Sequence, residues 1–189
     1  MVNPITHALW GYVISGHLTN KKDFILLGIF MAILMDIDGA PIPGFPHRGF
    51  IHTPIFILAL CGAVYWQTRS ETLFTLCYIN LLGHLILDTI GSNWKVVWLY
   101  PLTSEGVVLG TTFPRMLFLK AIYLIIPILL IFKEYRDNHT NPLELLDHMK
   151  VRFGENTTFA LIFLFFSGTF IYYSWSFIEK LPIPYIGRI

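Results

Sequence analysis

Charge is what this chain has least of. Its 189 residues include only 13 Lys+Arg and 12 Asp+Glu, a charged share of 13%, against roughly 25% in soluble domains. So few charges cannot cover a water-soluble globule without leaving large apolar patches, which argues against a soluble enzyme. An excess of one sign is missing as well. The net charge of +1 and a pI near 7.8 provide no basic field for a nucleic-acid backbone, whose affinity comes from clustered Lys and Arg. Cysteine is nearly absent: Cys61 and Cys77 each sit in an apolar stretch, where free Cys acts as a small hydrophobe. No disulfide framework and no Cys-type zinc site follow. The N-terminal MVNPITHALWGYVISG has neither the basic region nor the long apolar region of a secretory signal, so it reads as mature chain. Internal repeats and low-complexity tracts are also lacking.

What is present is apolar. The chain is 54% hydrophobic and 16% aromatic, with mean hydropathy +0.61, the composition of a membrane protein. Thr157 to Ile178 is an uncharged run of 22 residues, about the length that crosses a ~30 Å hydrocarbon core as a helix. Met116 to Phe132 reads as a second span, with Lys120 near its start placed to snorkel. Thr53 to Thr68 and Thr72 to Ile90 read as a helical hairpin turned at Arg69-Ser70-Glu71, with Thr53 as cap and Pro54 at an early helical position. Ile5 to Gly16 and Phe24 to Met35 are shorter, about a dozen residues or ~18 Å of helix each, and read as an N-terminal hairpin sheltered by the longer helices. Residues 39–46, GAPIPGFP, cannot continue a helix. Residues 133–156 hold most of the remaining charge as a surface loop, within which Leu143, Leu146, Met149 and Phe153 follow helical spacing. The expectation is an all-α, polytopic membrane protein with about four longer membrane helices plus the short hairpin. It forms one domain, 1–189, with a core in 1–110 and further helices in 111–189.

Several residues are out of place in such a chain. Asp36 and Asp38, in LMDIDGAP, follow an apolar run where a helix should end, and a helix C-terminus disfavours carboxylates unless a cation or a set of donors offsets them. The alternative is two solvated acids in an interfacial turn. His47 and His52, in HRGFIHT, pair a loop donor with a donor at a helix start, and imidazole is the commonest transition-metal ligand. Taken singly, each is equally an interfacial polar residue. His84 and Asp88, in GHLILD, share one helical face a turn apart. An acid in an apolar helix costs roughly 2.5 to 3.5 kcal/mol at the bilayer centre and marks a functional interior, or else a His–Asp hydrogen bond between packed helices. Alternating the helices brings His7, Asp36, Asp38, His47, His52, His84 and Asp88 to one membrane face and leaves His17, His139 and His148 on the other. Seven such donors suit two metal ions with room for water better than one closed structural site.

At these residues the chain resembles the LexA-binding, inner-membrane-associated metal-dependent hydrolases, the YdjM-like proteins. The pieces THALWG, DIDGA, HRGFIHT and GHLILD, followed by the segment from Trp98 to Pro101, occur in the family order over roughly the first 110 residues. Thr53 stands where a serine is common and keeps the capping hydroxyl. The resemblance implies an all-helical polytopic protein of the inner membrane whose metal ligands are the seven residues above. It also implies a distant likeness to zinc-dependent phospholipase C and P1 nuclease, helical enzymes that cleave phosphate esters.

The chemistry expected is phosphate-ester hydrolysis, on a substrate such as a phospholipid headgroup that reaches the site by lateral diffusion. The cofactor expected is a divalent metal, one to three ions, zinc before manganese or iron. Asp36 or Asp38 would bridge ions or orient water, and Arg48 would hold phosphate oxygens through its fork, unless it is an interfacial arginine contacting lipid phosphates in general. Trp94, Trp98 and Tyr100 read as an aromatic belt. Two rival classes remain. One is an ion or proton transporter using the His/Asp cluster, although transporter sites usually lie near the midplane between repeated halves. The other is a scaffold with a structural metal, binding a protein partner through 133–156. The loops opposite the site carry seven Lys+Arg against five on its own face, so the positive-inside rule puts the site on the extracytoplasmic side.

Overall fold

A computed structural model describes residues 4–39, 49–91, 95–103, 105–107, 113–138 and 143–158. Within these the chain is helical: α1 (Pro4–Leu18), α2 (Lys22–Leu34), α3 (Pro54–Thr68), α4 (Glu71–Gly91), α5 (Phe113–Asn138) and α6 (Leu143–Phe153). Short 3₁₀ turns at Met35–Gly39 and Phe50–His52 flank the gap between α2 and α3. No strand occurs among the described residues, only an isolated antiparallel bridge between Val96 and Val107. Two compact units divide the chain, Met1–Leu145 and Leu146–Ile189. Everything that positions the site lies in the first.

The α3–α4 hairpin forms as its local chemistry dictates. Thr53 Oγ1 accepts the Phe56 N–H at 3.1 Å and Pro54 occupies the first helical position, where its missing N–H removes no helical bond. At the other end Arg69 adopts φ 54 and its N–H reaches Tyr65 O, while its guanidinium covers the Trp66 ring at 4.6 Å. Glu71 then opens α4 instead of closing the turn, since a carboxylate in a first helical turn is favoured by the helix dipole.

Helix α4 is the centre of this unit, packing on α1, α2 and α3. Its buried residues, Leu76, Cys77, Asn80, Leu81, His84, Leu85, Asp88 and Thr89, recur in pairs at helical spacing, so one stripe faces inward. The apolar part of the stripe joins Met31, Met35, Ile57 and Cys61 in the core. The N-terminal hairpin is drawn in tightly by small residues. A Cβ at Gly11 would lie 2.7 Å from Ala32 Cβ, and one at Gly28 would overlap Ser15 Oγ. Asn80 Nδ2 donates to Ser15 Oγ at 3.1 Å, joining α4 to α1 by a polar pair inside the bundle.

Helix α5 runs beyond the expected Phe132 to Asn138, so Lys133 to Asn138 extend a helix and are not loop. Its Pro127 explains another contact. Proline has no N–H to give the carbonyl four residues back, which is that of Tyr123, and Trp10 Nε1 of α1 donates to Tyr123 O at 3.0 Å. Helix α6 starts at Leu143 and keeps the expected helical spacing, with no buried residue. Among the described residues α4 is the one helix long and apolar enough to cross a membrane. The side chain of Lys120, and residues 159–178 of the Thr157 to Ile178 run, lie outside the described residues. So do residues 40–46 of the turn-rich loop.

The first unit encloses several polar residues beside its apolar core and exposes large apolar ones. Phe30, Leu58, Trp66, Phe118, Leu129 and Phe132 are exposed, while His7, Ser15, His52, Asn80, His84 and Asp88 are enclosed. Polar residues gathered inside and large apolar ones turned outward suit a surrounding of lipid chains.

Candidate metal centre

Five of the seven expected ligands are brought together. His7 comes from the first turns of α1, Asp36 from the 3₁₀ turn after α2, His52 from the 3₁₀ turn before α3, and His84 and Asp88 from the last turns of α4. Each element end points the same way because the helices alternate in direction, as the sequence reading required. Asp38 belongs to the turn after α2, but its side chain lies outside the described residues, as do His47, Arg48 and Trp94. His17 sits at the far end of α1, its Nδ1 donating to Val13 O at 2.8 Å, about 15 Å of helix from His7. His148 belongs to α6, and His139 lies outside the described residues.

Asp88 is the hub. Its Oδ1 lies 3.4 Å from His7 Nε2, and its Oδ2 lies 3.6 Å from His52 Nε2 and 3.9 Å from His84 Nε2. Asp36 Oδ1 stands 3.8 Å from His84 Nε2. One donor atom each from His7, Asp36, His84 and Asp88 falls within 4.8 Å of all the others. The three histidines and Asp88 are sealed from solvent, and only the Asp36 side chain keeps some exposure, 10%.

The tautomer of His84 follows from its neighbour. Its Nδ1 lies 2.6 Å from Ala32 O, and a carbonyl only accepts, so Nδ1 carries the proton. Ala32 is in the last turn of α2, where helical carbonyls lack an intrahelical N–H. The lone pair of His84 Nε2 is therefore turned into the cluster, 3.2 Å from His52 Nε2. A backbone carbonyl that fixes the outer nitrogen is the usual support of a metal-binding imidazole. The sequence reading missed this partner, because a carbonyl leaves no mark in residue identity.

A second support was also missed. Trp98, expected at the membrane interface, packs against the core and donates through Nε1 to Thr89 Oγ1 at 3.0 Å. Thr89 adjoins Asp88, so this bond braces the last turns of α4.

The residues fit a bound cation. Neither ring nitrogen of His7 makes a hydrogen bond, although both are buried. Imidazole nitrogens and carboxylate oxygens are the donor set of zinc and other first-row divalent metals.

Fold and site together define a class: all-helical membrane proteins that enclose a His/Asp cluster at one end of the bundle. The particular family is then plain. The family model for the YdjM inner membrane protein matches residues 1–182, and this chain belongs to that family. No curated protein and no solved structure matches it.

Proposed function

We propose that this chain is a multi-pass, metal-dependent hydrolase of the inner membrane that cleaves a phosphate ester, a phospholipid headgroup being the fitting substrate. The observation that supports it is the convergence of His7, Asp36, His84 and Asp88 within 4.8 Å at one end of a bundle whose outer surface is apolar. His7, Asp36, His84 and Asp88, with His52 beside them, would hold one or more divalent cations, zinc by preference. Such an ion supplies a water of lowered pKa and neutralises charge on the phosphoryl group.

The protein's own residues divide the remaining work. Asp88, fully enclosed, holds the histidines in register. Asp36, the more accessible carboxylate, would orient the attacking water. Ala32 O keeps His84 Nε2 free of a proton. Arg48, outside the described residues, is assigned the non-bridging phosphate oxygens because its fork matches them. The site is assigned to the extracytoplasmic face by the balance of Lys and Arg.

Purification in mild detergent without chelator, followed by elemental mass spectrometry and assays on phosphodiesters and phospholipids, tests this reading. Wild type should carry stoichiometric divalent metal and release phosphate or headgroup, and His84→Ala and Asp88→Ala should lose both while keeping helical content. A well-folded wild type that takes up neither zinc nor manganese would overturn it. Ion flux in liposomes without ester cleavage would replace it with transport.

A further inference from the structure

His7 and His84 are stacked, with ring centroids 3.8 Å apart and planes inclined by 16°. A metal binds imidazole along the in-plane lone pair, at about 2.0 to 2.1 Å for zinc. Two rings stacked face to face keep their lone pairs in nearly parallel planes that do not meet near the nitrogens. They cannot both address a single ion. His52 and His84 stand differently: their planes are inclined by 60° and their Nε2 atoms are 3.2 Å apart. This is close to the ~3.4 Å between two donors on one tetrahedral ion with bonds of that length.

The carboxylate of Asp88 matches this division. Oδ1 faces His7 Nε2 at 3.4 Å, and Oδ2 faces His52 and His84 at 3.6 and 3.9 Å. The two stacked rings thus face different oxygens of one carboxylate.

Resting on the cation reading above, we propose that the cluster is a two-cation centre bridged by Asp88. One position is addressed by His7 and Asp88 Oδ1, the other by His52, His84 and Asp88 Oδ2, with Asp36 on the side of the second. The bridge is therefore the α4 acid, in place of Asp36 or Asp38 to which the sequence pattern pointed. His7 belongs to one position alone, so its removal should empty that position and spare the other.

The test uses the full-length protein in detergent, stripped of metal and titrated with manganese(II), with stoichiometry and electron paramagnetic resonance read together. Wild type should bind two equivalents and give an exchange-coupled spectrum. His7→Ala should bind one and give the spectrum of an isolated ion, with the thermal transition checked. His7→Gln serves if His7→Ala does not fold. One equivalent in wild type with no coupling would overturn the two-cation proposal and leave the hydrolase reading standing. No binding would overturn both. Two uncoupled equivalents, or loss of both ions in a folded His7 variant, would remove Asp88 as the bridge.

Discussion

Thr53 shows how much a single hydroxyl carries near the cluster. Its Oγ1 accepts from Phe56 N at the start of α3 and donates to Phe50 O at 2.7 Å, closing the short turn that presents His52. Thr53 is wholly buried, so no solvent replaces either bond. Thr53→Ala should cost about 1 kcal/mol as a lost cap and weaken metal binding by roughly tenfold through His52, the lower end of the range for supporting partners. Thr53→Ser should restore both. Thermal unfolding and metal titration in the same detergent measure the two effects. The cap and the adjacent proline were legible in the sequence. The donation to Phe50 O was not, because it depends on a turn that no residue preference specifies.

At the scale of elements, the contact between α1 and α5 turns on a missing hydrogen. Pro127 leaves Tyr123 O without its helical donor, and the Trp10 indole supplies one. Trp10→Phe keeps the ring and removes that donor, so it should destabilise by about 0.5 to 1.5 kcal/mol, the net worth of a partly buried hydrogen bond. In a Pro127→Ala background the helix can satisfy Tyr123 O itself, and the same Trp10 substitution should cost less. A double-mutant cycle read by thermal or denaturant unfolding isolates the coupling; additive effects would show that the bond contributes nothing. The approach of α1 to α2 obeys a similar logic, with Gly11 and Gly28 leaving room for Ala32 and Ser15. That closeness is what brings Ala32 O within reach of His84.

For the whole molecule, the burial of polar residues beside the apolar core has an energetic consequence. Two carboxylates and three imidazoles gathered inside the bundle are held at a cost in desolvation, which a bound cation would offset. Chelation should therefore lower the unfolding temperature, and metal at 100 times its dissociation constant should restore about 2.7 kcal/mol by mass action. Differential scanning fluorimetry with and without chelator measures it; an unchanged transition in metal-depleted protein would separate the cluster from stability.

Residue order alone determined that the chain is helical and apolar, that α3 and α4 form a capped hairpin, and that His7, Asp36, His52, His84 and Asp88 are candidates for one cluster. These are local matters, governed by 3.6-residue periodicity, caps and the rarity of acids in apolar helices. The i, i+4 pairing of His84 with Asp88 belongs with them. Alternating helix directions also indicated that His7, His52 and His84 would share an end of the bundle. Only the tertiary structure decided which nitrogen of His84 faces inward, that His7 stacks on it while His52 meets it at an angle, and that Asp88 stands between them. Those relations depend on helix register and on how closely α1, α2 and α4 approach, quantities set by packing between residues distant in the chain.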